Sequence, residues 1–410
     1  MQQARYISAR EAAAELGVSV ATIYAYVSRG LLRSEAVAGD TRQRRYRLDD
    51  VRRLKARQEG RRDPSTIAEG ALHWGAPVLE SSLTLITDER LYYRGYDVVQ
   101  LAAKHTAEEV AAMVWTGTLS SEVVRLIEAR SPVLTPRLRK VRRQLGHLTP
   151  IELFAVLLPL AAADDLAAYD VRPAAVIQAG ARIVRLLTTI LTGTEQNKTS
   201  IAQTLQRAWT PAVPQAVQLI DAALILCADH ELNVSSFTAR CVASAGSTPY
   251  AVVAAGLAAL QGVKHGGHTA RVEALLREVA TADEARPALA RMLKRGEAIP
   301  GFGHVLYPNG DPRAEALLQM VMDTLPTSPT VVLAKALIAE AQALLGERPT
   351  IDFGLVTLAQ ALGLPSGGAL GLFALGRTIG WIGHALEQYA LDTMIRPRAR
   401  YVGEPPGRRA

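Results

Sequence analysis

Residues 248–267 read TPYAVVAAGLAALQGVKHGG. Thr248-Pro249 opens the stretch as a helix start, because a proline at the first helical position sacrifices no hydrogen bond and its fixed φ suits the helix. The residues up to Leu260 are apolar and mostly small, which predicts a tightly packed helix ending near Gly262. His265 then stands before Gly266-Gly267, at a corner between two helices. Glycines beside a polar side chain let the backbone approach a ligand closely. The stretch therefore predicts helix-on-helix packing and an imidazole presented at a corner.

The same pattern recurs along the chain. Segments with helical periodicity run from Thr106 to Thr116, Pro150 to Leu166, Arg172 to Leu191, Val213 to Ala228, Arg271 to Ala280, Pro312 to Leu325 and Thr330 to Leu345. No series of alternating strands interrupts them, and no repeat at solenoid spacing is present. A short hairpin is expected near Leu83 to Arg94, turning through Thr87-Asp88-Glu89. From about residue 68 onward the fold class is all-α.

Composition narrows the function. The 410 residues are 49% hydrophobic and 21% charged, a globular balance. Cys227 and Cys241 lie in apolar surroundings without metal-ligand spacing, as expected for buried thiols in a reducing compartment. Met1-Gln2-Gln3-Ala4-Arg5 lacks the basic-then-apolar pattern of a secretory signal. The apolar run near Tyr250 to Val263 is shorter than the roughly 18 residues a membrane span needs. The expectation is a soluble cytoplasmic protein with no membrane partner.

The net charge of +7 is concentrated at one end. Residues 1–63 hold 14 Lys and Arg against 8 Asp and Glu, so +6 falls there. This points to an anionic partner for a small N-terminal unit. Ser8 and Glu11 form a capping-box pair, Ala12, Ala13 and Leu16 mark an apolar face, and Gly17 makes a turn. Ser19 caps a second helix through about Arg29, with Ile23 and Val27 inward, Thr22 and Tyr24 outward, and Gly30 as the stop. A basic extended stretch, Arg42 to Arg47, and a third helix, Leu48 to Arg57, follow. Arg61 to Ser65 reads as a hinge. This unit resembles the winged-helix DNA-binding domains of the MerR and excisionase type. The resemblance implies a winged helix-turn-helix over 1–62 that binds duplex DNA through Ser19, Thr22, Tyr24, Arg42, Arg44 and Arg45. A small adaptor with a solvated basic face is the bland alternative.

The chemistry lies further on. Asp229-His230-Glu231-Leu232-Asn233 places four polar residues between apolar helices, where each needs a partner. His304 follows Gly301-Phe302-Gly303, a second close-approach loop. Asp311 caps a helix with Pro312 first, which puts Arg313 in the first turn, an unfavourable place for a cation without an anion beside it. Asp352, before Phe353-Gly354, reads equally as a helix cap. Arg377 sits in an apolar helix and requires a partner. Arg396 belongs to a closing basic run. Arginines suit a small dicarboxylate, and the histidines and aspartate suit enolisation of a carbon acid.

These residues resemble the citrate synthase family in order and spacing, from Leu91-Tyr92-Tyr93-Arg94-Gly95-Tyr96-Asp97 through Asp352-Phe353 to Arg396 and Gly403. The resemblance implies a helical homodimer with a large domain, 68–265 plus 363–410, and a mobile small domain, 266–362. It implies that Asp352 takes a proton from acetyl-CoA, that His265 hydrogen-bonds the thioester oxygen, and that His304 donates to the oxaloacetate carbonyl. His230, Arg313 and Arg377 would hold oxaloacetate, with Arg396 reaching in from the partner subunit. Gly301, Phe302 and Gly303 would lie against CoA. No metal and no tightly bound cofactor is implied, acyl-CoA being a co-substrate, and propionyl-CoA is an equal candidate by size. Two departures stand out. His268 follows Gly267 where Ala is usual, and is expected to alter the CoA pocket or the pKa of His265. Val305 follows His304 where Arg is common. The alternative reading is a DNA-binding regulator whose synthase-like body senses metabolites with little or no turnover.

Overall fold

A computed structural model describes residues 6–28, 32, 34–37, 40–48, 51, 79–87, 90–129, 134–194 and 199–404. The chain divides into two compact units at Glu80 and Ser81.

The N-terminal unit holds strand β1 (Tyr6–Ser8), helices α1 (Ala9–Leu16) and α2 (Val20–Ser28), and strands β2 (Glu35–Val37) and β3 (Asp40–Arg47). The capping box is present: Ser8 Oγ accepts the Glu11 N–H at 3.3 Å, and Glu11 Oε2 accepts the Ser8 N–H at 2.8 Å. Gly17 turns the chain at φ +62°. Ser19 Oγ accepts the Thr22 N–H at 3.2 Å to start α2. The strands form an antiparallel sheet in the order β1-β3-β2. Ala12, Ala13, Leu16, Ile23, Leu32, Tyr46 and Val51 close a small core. The basic stretch is thus the central strand of a wing. The sequence did not signal β1, whose three residues are too few to show alternation. Arg29, Gly30, the hinge at 61–65 and all but Leu48 and Val51 of the expected third helix lie outside the described residues.

The body opens with an antiparallel meander, β4 (Thr84–Ile86), β5 (Leu91–Tyr93) and β6 (Tyr96–Asp97). The expected hairpin is its first half, although Asp88 and Glu89 lie outside the described residues. The helices that follow are α3 (Val98–Lys104), α4 (Ala107–Thr116), α5 (Ser121–Ala129), α6 (Pro136–Gln144), α7 (Pro150–Ala162), α8 (Pro173–Thr192), α9 (Ile201–Trp209) and α10 (Ala216–Leu226). Then come α11 (Val234–Ser244), α12 (Pro249–Leu260), α13 (His268–Val279), α14 (Ala285–Lys294), α15 (Pro312–Thr324), α16 (Pro329–Leu345), α17 (Ile351–Ala361) and α18 (Gly368–Leu391). Helix α13 begins at His268, earlier than the Arg271 expected, because Gly266 and Gly267 coil tightly into it rather than forming a loop. Helix α8 is long and apolar enough to cross a membrane by length and composition, but 67% of its most apolar window is buried inside the protein, as in a core helix.

Helix α18 is the axis of the body and is buried along most of its length. Glycines let its neighbours come close. A Cβ at Gly376 would lie 2.5 Å from Leu224 O, and one at Gly380 would lie 2.3 Å from Ala228 O. The Gly380 N–H itself donates to Ala228 O at 3.0 Å. On the other side, a Cβ at Gly256 of α12 would meet the Trp381 ring at 2.5 Å. This approach brings the segment after α10, including Asp229 and His230, against the middle of α18. Gly256 serves the same end, since a side chain there would collide with Trp381.

Candidate active site

Asp229 anchors the first corner. Its carboxylate accepts from Thr84 Oγ1 at 2.6 Å and lies 3.1 Å from His384 Nε2. Burial alone would raise its pKa, but His384 and Arg377 outweigh that and hold it below the usual range. Tyr93, fully buried, accepts the Asp229 N–H at 3.0 Å. Glu231 sits at φ +52°, a left-handed conformation that costs a non-glycine residue about 1–2 kcal/mol. That turn aims the neighbouring His230 inward, where Nε2 meets Tyr307 Oη at 2.9 Å.

The second corner is built on Asp311. It caps α15 by accepting the Arg313 N–H at 3.1 Å, and it pairs with the Arg313 side chain through Nε at 2.9 Å and Nη2 at 2.8 Å. Its Oδ2 also accepts the Ile351 N–H at 3.1 Å, tying α15 to the start of α17. Arg313 was expected to be unfavourable in a first helical turn. The structure supplies the anion within the chain, since Asp311 neutralises Arg313 and two guanidinium nitrogens bond to it. The charge of Arg313 is locked on, its pKa raised because Asp311 outweighs the opposing effect of burial.

Three imidazoles gather between these corners. His230 and His304 meet edge to face with centroids 5.7 Å apart, and His304 lies 5.0 Å from Tyr307. His304 Nδ1 accepts the Leu306 N–H at 3.1 Å. His265 Nε2 meets Ser235 Oγ at 2.9 Å, and its ring stands 6.1 Å from Phe373. Burial, aided by Arg377, pushes His265 down to about 3, while burial and Arg313 push His304 down to about 4. Burial with Arg313 and Arg377 places His230 well below the ordinary imidazole value. All three are neutral at physiological pH. The positive charge of the site comes from arginine.

Three polar atoms here are buried and have no hydrogen-bond partner among the described residues: Arg377 Nη1, Asp352 Oδ1 and His384 Nδ1. Arg377 donates from Nε to Cys227 O at 2.8 Å and lies 5.0 Å over the Phe373 ring. Asp352 is in the first turn of α17, but Thr350 is the residue at the cap position, so the helix-cap reading of Asp352 does not hold. Burial pushes its pKa up to about 7, against the opposing pull of Arg313. A bare donor and a bare acceptor in a buried setting mark a place for a polar ligand, because leaving them unpaired costs about 1–3 kcal/mol each.

Other expected residues are placed differently. Phe302 is buried against Phe353, centroids 4.8 Å apart, so its side chain belongs to the core. Gly301 and Gly303 adopt φ +85° and +75°. A small cavity beside His304 is lined by Gly303, Tyr307, Asp311, Glu347 and Arg348. Arg396 is exposed beyond the end of α18, and this chain does not bring it to the other residues. His268 does not touch His265 through its side chain. Its Nε2 accepts the Gly301 N–H at 3.1 Å, and His265 owes its low pKa to burial and Arg377. Sequence reading missed Tyr307 and Ser235 as partners of the histidines, and saw Asp311 only as a cap. Their signals are contacts across 77 and 30 residues, invisible to local pattern.

In the N-terminal unit, Ser19 and Thr22 bond to each other at 2.8 Å, and Tyr24 is exposed. Arg42 and Arg44 lie on β3, with Arg44 exposed. Arg45 is held within the unit, 3.2 Å from Glu35 and 4.2 Å over the Tyr6 ring.

The raised pKa of Asp352 carries a testable sign. An acid whose folded value exceeds its unfolded value of about 4 lowers stability as pH rises through that interval. A neutral amide in its place escapes this, so Asp352→Asn should be more stable than the wild type to urea at pH 8, with the advantage shrinking as pH falls toward 4. Equal midpoints at both pH values would show that Asp352 ionises freely.

Known proteins resemble this chain in sequence and in fold. Residues 7–68 match the family described as MerR HTH family regulatory protein, and residues 71–398 match the family described as Citrate synthase, C-terminal domain. Citrate synthase 2 of Bacillus subtilis is 28% identical over 351 residues, which is 80% of this chain and 94% of that protein. The 2-methylcitrate synthase of Mycobacterium tuberculosis is 28% identical, over 76% of this chain and 84% of its own. The crystal structure of citrate synthase from Thermotoga maritima superposes with a TM-score of 0.70 at 28% identity, over 80% of this chain and 94% of that one. With a family match spanning nearly the whole helical body, and a relative and a solved structure that agree along the same stretch, the chain belongs to the citrate synthase family.

Proposed function

We infer that the body condenses acetyl-CoA or propionyl-CoA with oxaloacetate, giving citrate or 2-methylcitrate and CoA. The observation that carries this reading is the pair of unpartnered buried atoms, Arg377 Nη1 and Asp352 Oδ1, beside three neutral imidazoles. Arg377 Nη1 offers a charge-assisted bond to one carboxylate of oxaloacetate. Arg313 spends Nε and one N–H of Nη2 on Asp311, which leaves the two N–H of Nη1 and the second of Nη2 as an end-on fork. Arg396 of a second subunit would complete the grip in a homodimer.

Asp352 is the base. Its Oδ1 takes the α-proton of the acyl thioester, and a value of about 7 makes it a stronger base than an ordinary carboxylate. As the enolate charge develops on the thioester oxygen, His265 would donate from Nδ1, which requires the Ser235 O–H to leave Asn233 Oδ1, 2.7 Å away, and turn into Nε2, 2.9 Å away. A neutral imidazole is suited to this, because it stabilises the oxygen without first releasing a proton. The enol carbon then bonds to the oxaloacetate keto carbon, and the keto oxygen gains a proton delivered through His304. Water hydrolyses the resulting thioester, releasing CoA. Closure of the 266–362 domain on the 68–265 plus 363–410 domain would hold water back until then. One methylene separates the two acyl groups and is worth only about 1–3 kcal/mol, so both remain candidates.

The test is CoA release from either acyl-CoA with oxaloacetate. Asp352→Asn should lower kcat at least ~100-fold, and Arg377→Leu should raise the oxaloacetate KM at least ~10-fold with little change for acyl-CoA. Turnover near wild type in Asp352→Asn, or no CoA release by the wild type, would overturn the reading.

A second role rests on the wing: a basic central strand with Arg44 exposed, beside a helix that presents Tyr24. This unit would bind duplex DNA, with α2 toward the major groove and the wing on phosphates. The full chain should bind DNA with affinity falling at least ~10-fold between 50 and 200 mM salt, and Arg44→Ala should weaken it. No binding at low salt would mark the unit as a protein adaptor.

A further inference from the structure

We propose that His268 is a positioning residue that ties together the turns carrying His265 and His304 and the start of helix α17, which carries Asp352. This rests on the condensation reading above and adds a residue to its machinery.

The tie is a line of hydrogen bonds through one glycine. His268 is the first residue of α13, three places after His265, and its N–H donates to His265 O at 2.9 Å. Its Nε2 accepts the Gly301 N–H at 3.1 Å. The Gly301 carbonyl accepts from Thr350 twice, from the N–H at 2.8 Å and from Oγ1 at 3.2 Å. Thr350 is the cap residue of α17, two places before Asp352. Gly301 stands three places before His304. A side chain from α13 and a capping threonine from α17 therefore grip the two polar groups of one residue, and each of the three reactive groups lies within three residues of that grip.

The fit at Gly301 explains why the grip is rigid. The residue is buried at φ +85°. A Cβ there would lie 3.0 Å from Val272 of α13 and 3.1 Å from Phe353 of α17, so the backbone is wedged between the two helices. Its N–H needs an acceptor, since a buried donor left bare is costly. The His268 imidazole supplies that acceptor. Acceptance at Nε2 fixes the ring as the tautomer with its proton on Nδ1. Burial and Arg271 lower the pKa of His268, which keeps the lone pair available. With His268 replaced by an apolar residue, the Gly301 N–H would have to shift to find a partner. Displacing a reacting group by about 1 Å can cost ~100-fold in rate.

The experiment uses the full chain with His268→Phe, which keeps a ring but removes the acceptor, and His268→Gln, whose amide oxygen reaches about as far as Nε2. His268→Asn, one methylene shorter, replaces the Phe variant if that one fails to fold. Hydrogen exchange at the Gly301 amide should quicken at least ~10-fold in His268→Phe and return toward wild type in His268→Gln. In the CoA-release assay, kcat should fall at least ~10-fold in His268→Phe with the oxaloacetate KM within about 3-fold, and His268→Gln should recover most of the loss. Unchanged Gly301 exchange overturns the tie, whether or not the enzyme turns over. An active wild type with full kcat in His268→Phe overturns the positioning role while leaving the condensation reading intact. A wild type that releases no CoA defeats that reading, and the exchange result then decides the tie by itself.

Discussion

A guanidinium buried with one bare nitrogen is the constraint on which the site depends. Arg377 can sit in the middle of α18 because Gly376 and Gly380, on either side of it, admit the backbone of Leu224 and Ala228. That contact hands Arg377 the carbonyl of Cys227 and leaves Nη1 unmatched. A folded chain tolerates this only against the large favourable burial of the surrounding core, since a buried donor left without an acceptor is costly. An anion that reaches Nη1 recovers the cost. The fold thus holds a buried, unmatched donor ready for an anion.

The electrostatics around that point follow a single division of labour. Arg313 and Arg377 carry the charge, Asp311 fixes one of them, and the imidazoles stay neutral because burial and two nearby cations disfavour a further positive charge. The same burial raises Asp352, whose Oδ1 has no partner. Burial thus moves Asp352 and the imidazoles in opposite directions, each toward its neutral form.

Much of this was legible in the sequence, and the limits have physical causes. Ser8 with Glu11, Thr248-Pro249 and Asp311-Pro312 are local signals, read within a few residues, and the helices start where they say. His265, His304 and Asp352 announce themselves by glycines or by polarity in an apolar setting. Partnerships across the chain left no such trace. The Asp311 pairing that tames Arg313 is close in sequence but depends on a helix start that also binds Ile351, 40 residues away. His268 read as a perturbation of His265, because nothing local shows that its ring reaches Gly301 across 33 residues. The glycines of α18 carry no local sign of their use, which is to admit Ala228 and Leu224.

The most direct test of the account is a crystal structure of the full chain with oxaloacetate. The account predicts one carboxylate of the ligand on Arg377 Nη1, with the keto oxygen within hydrogen-bond reach of His304. Oxaloacetate bound elsewhere, or an occupied cleft in which Arg377 Nη1 still has no partner, would contradict it.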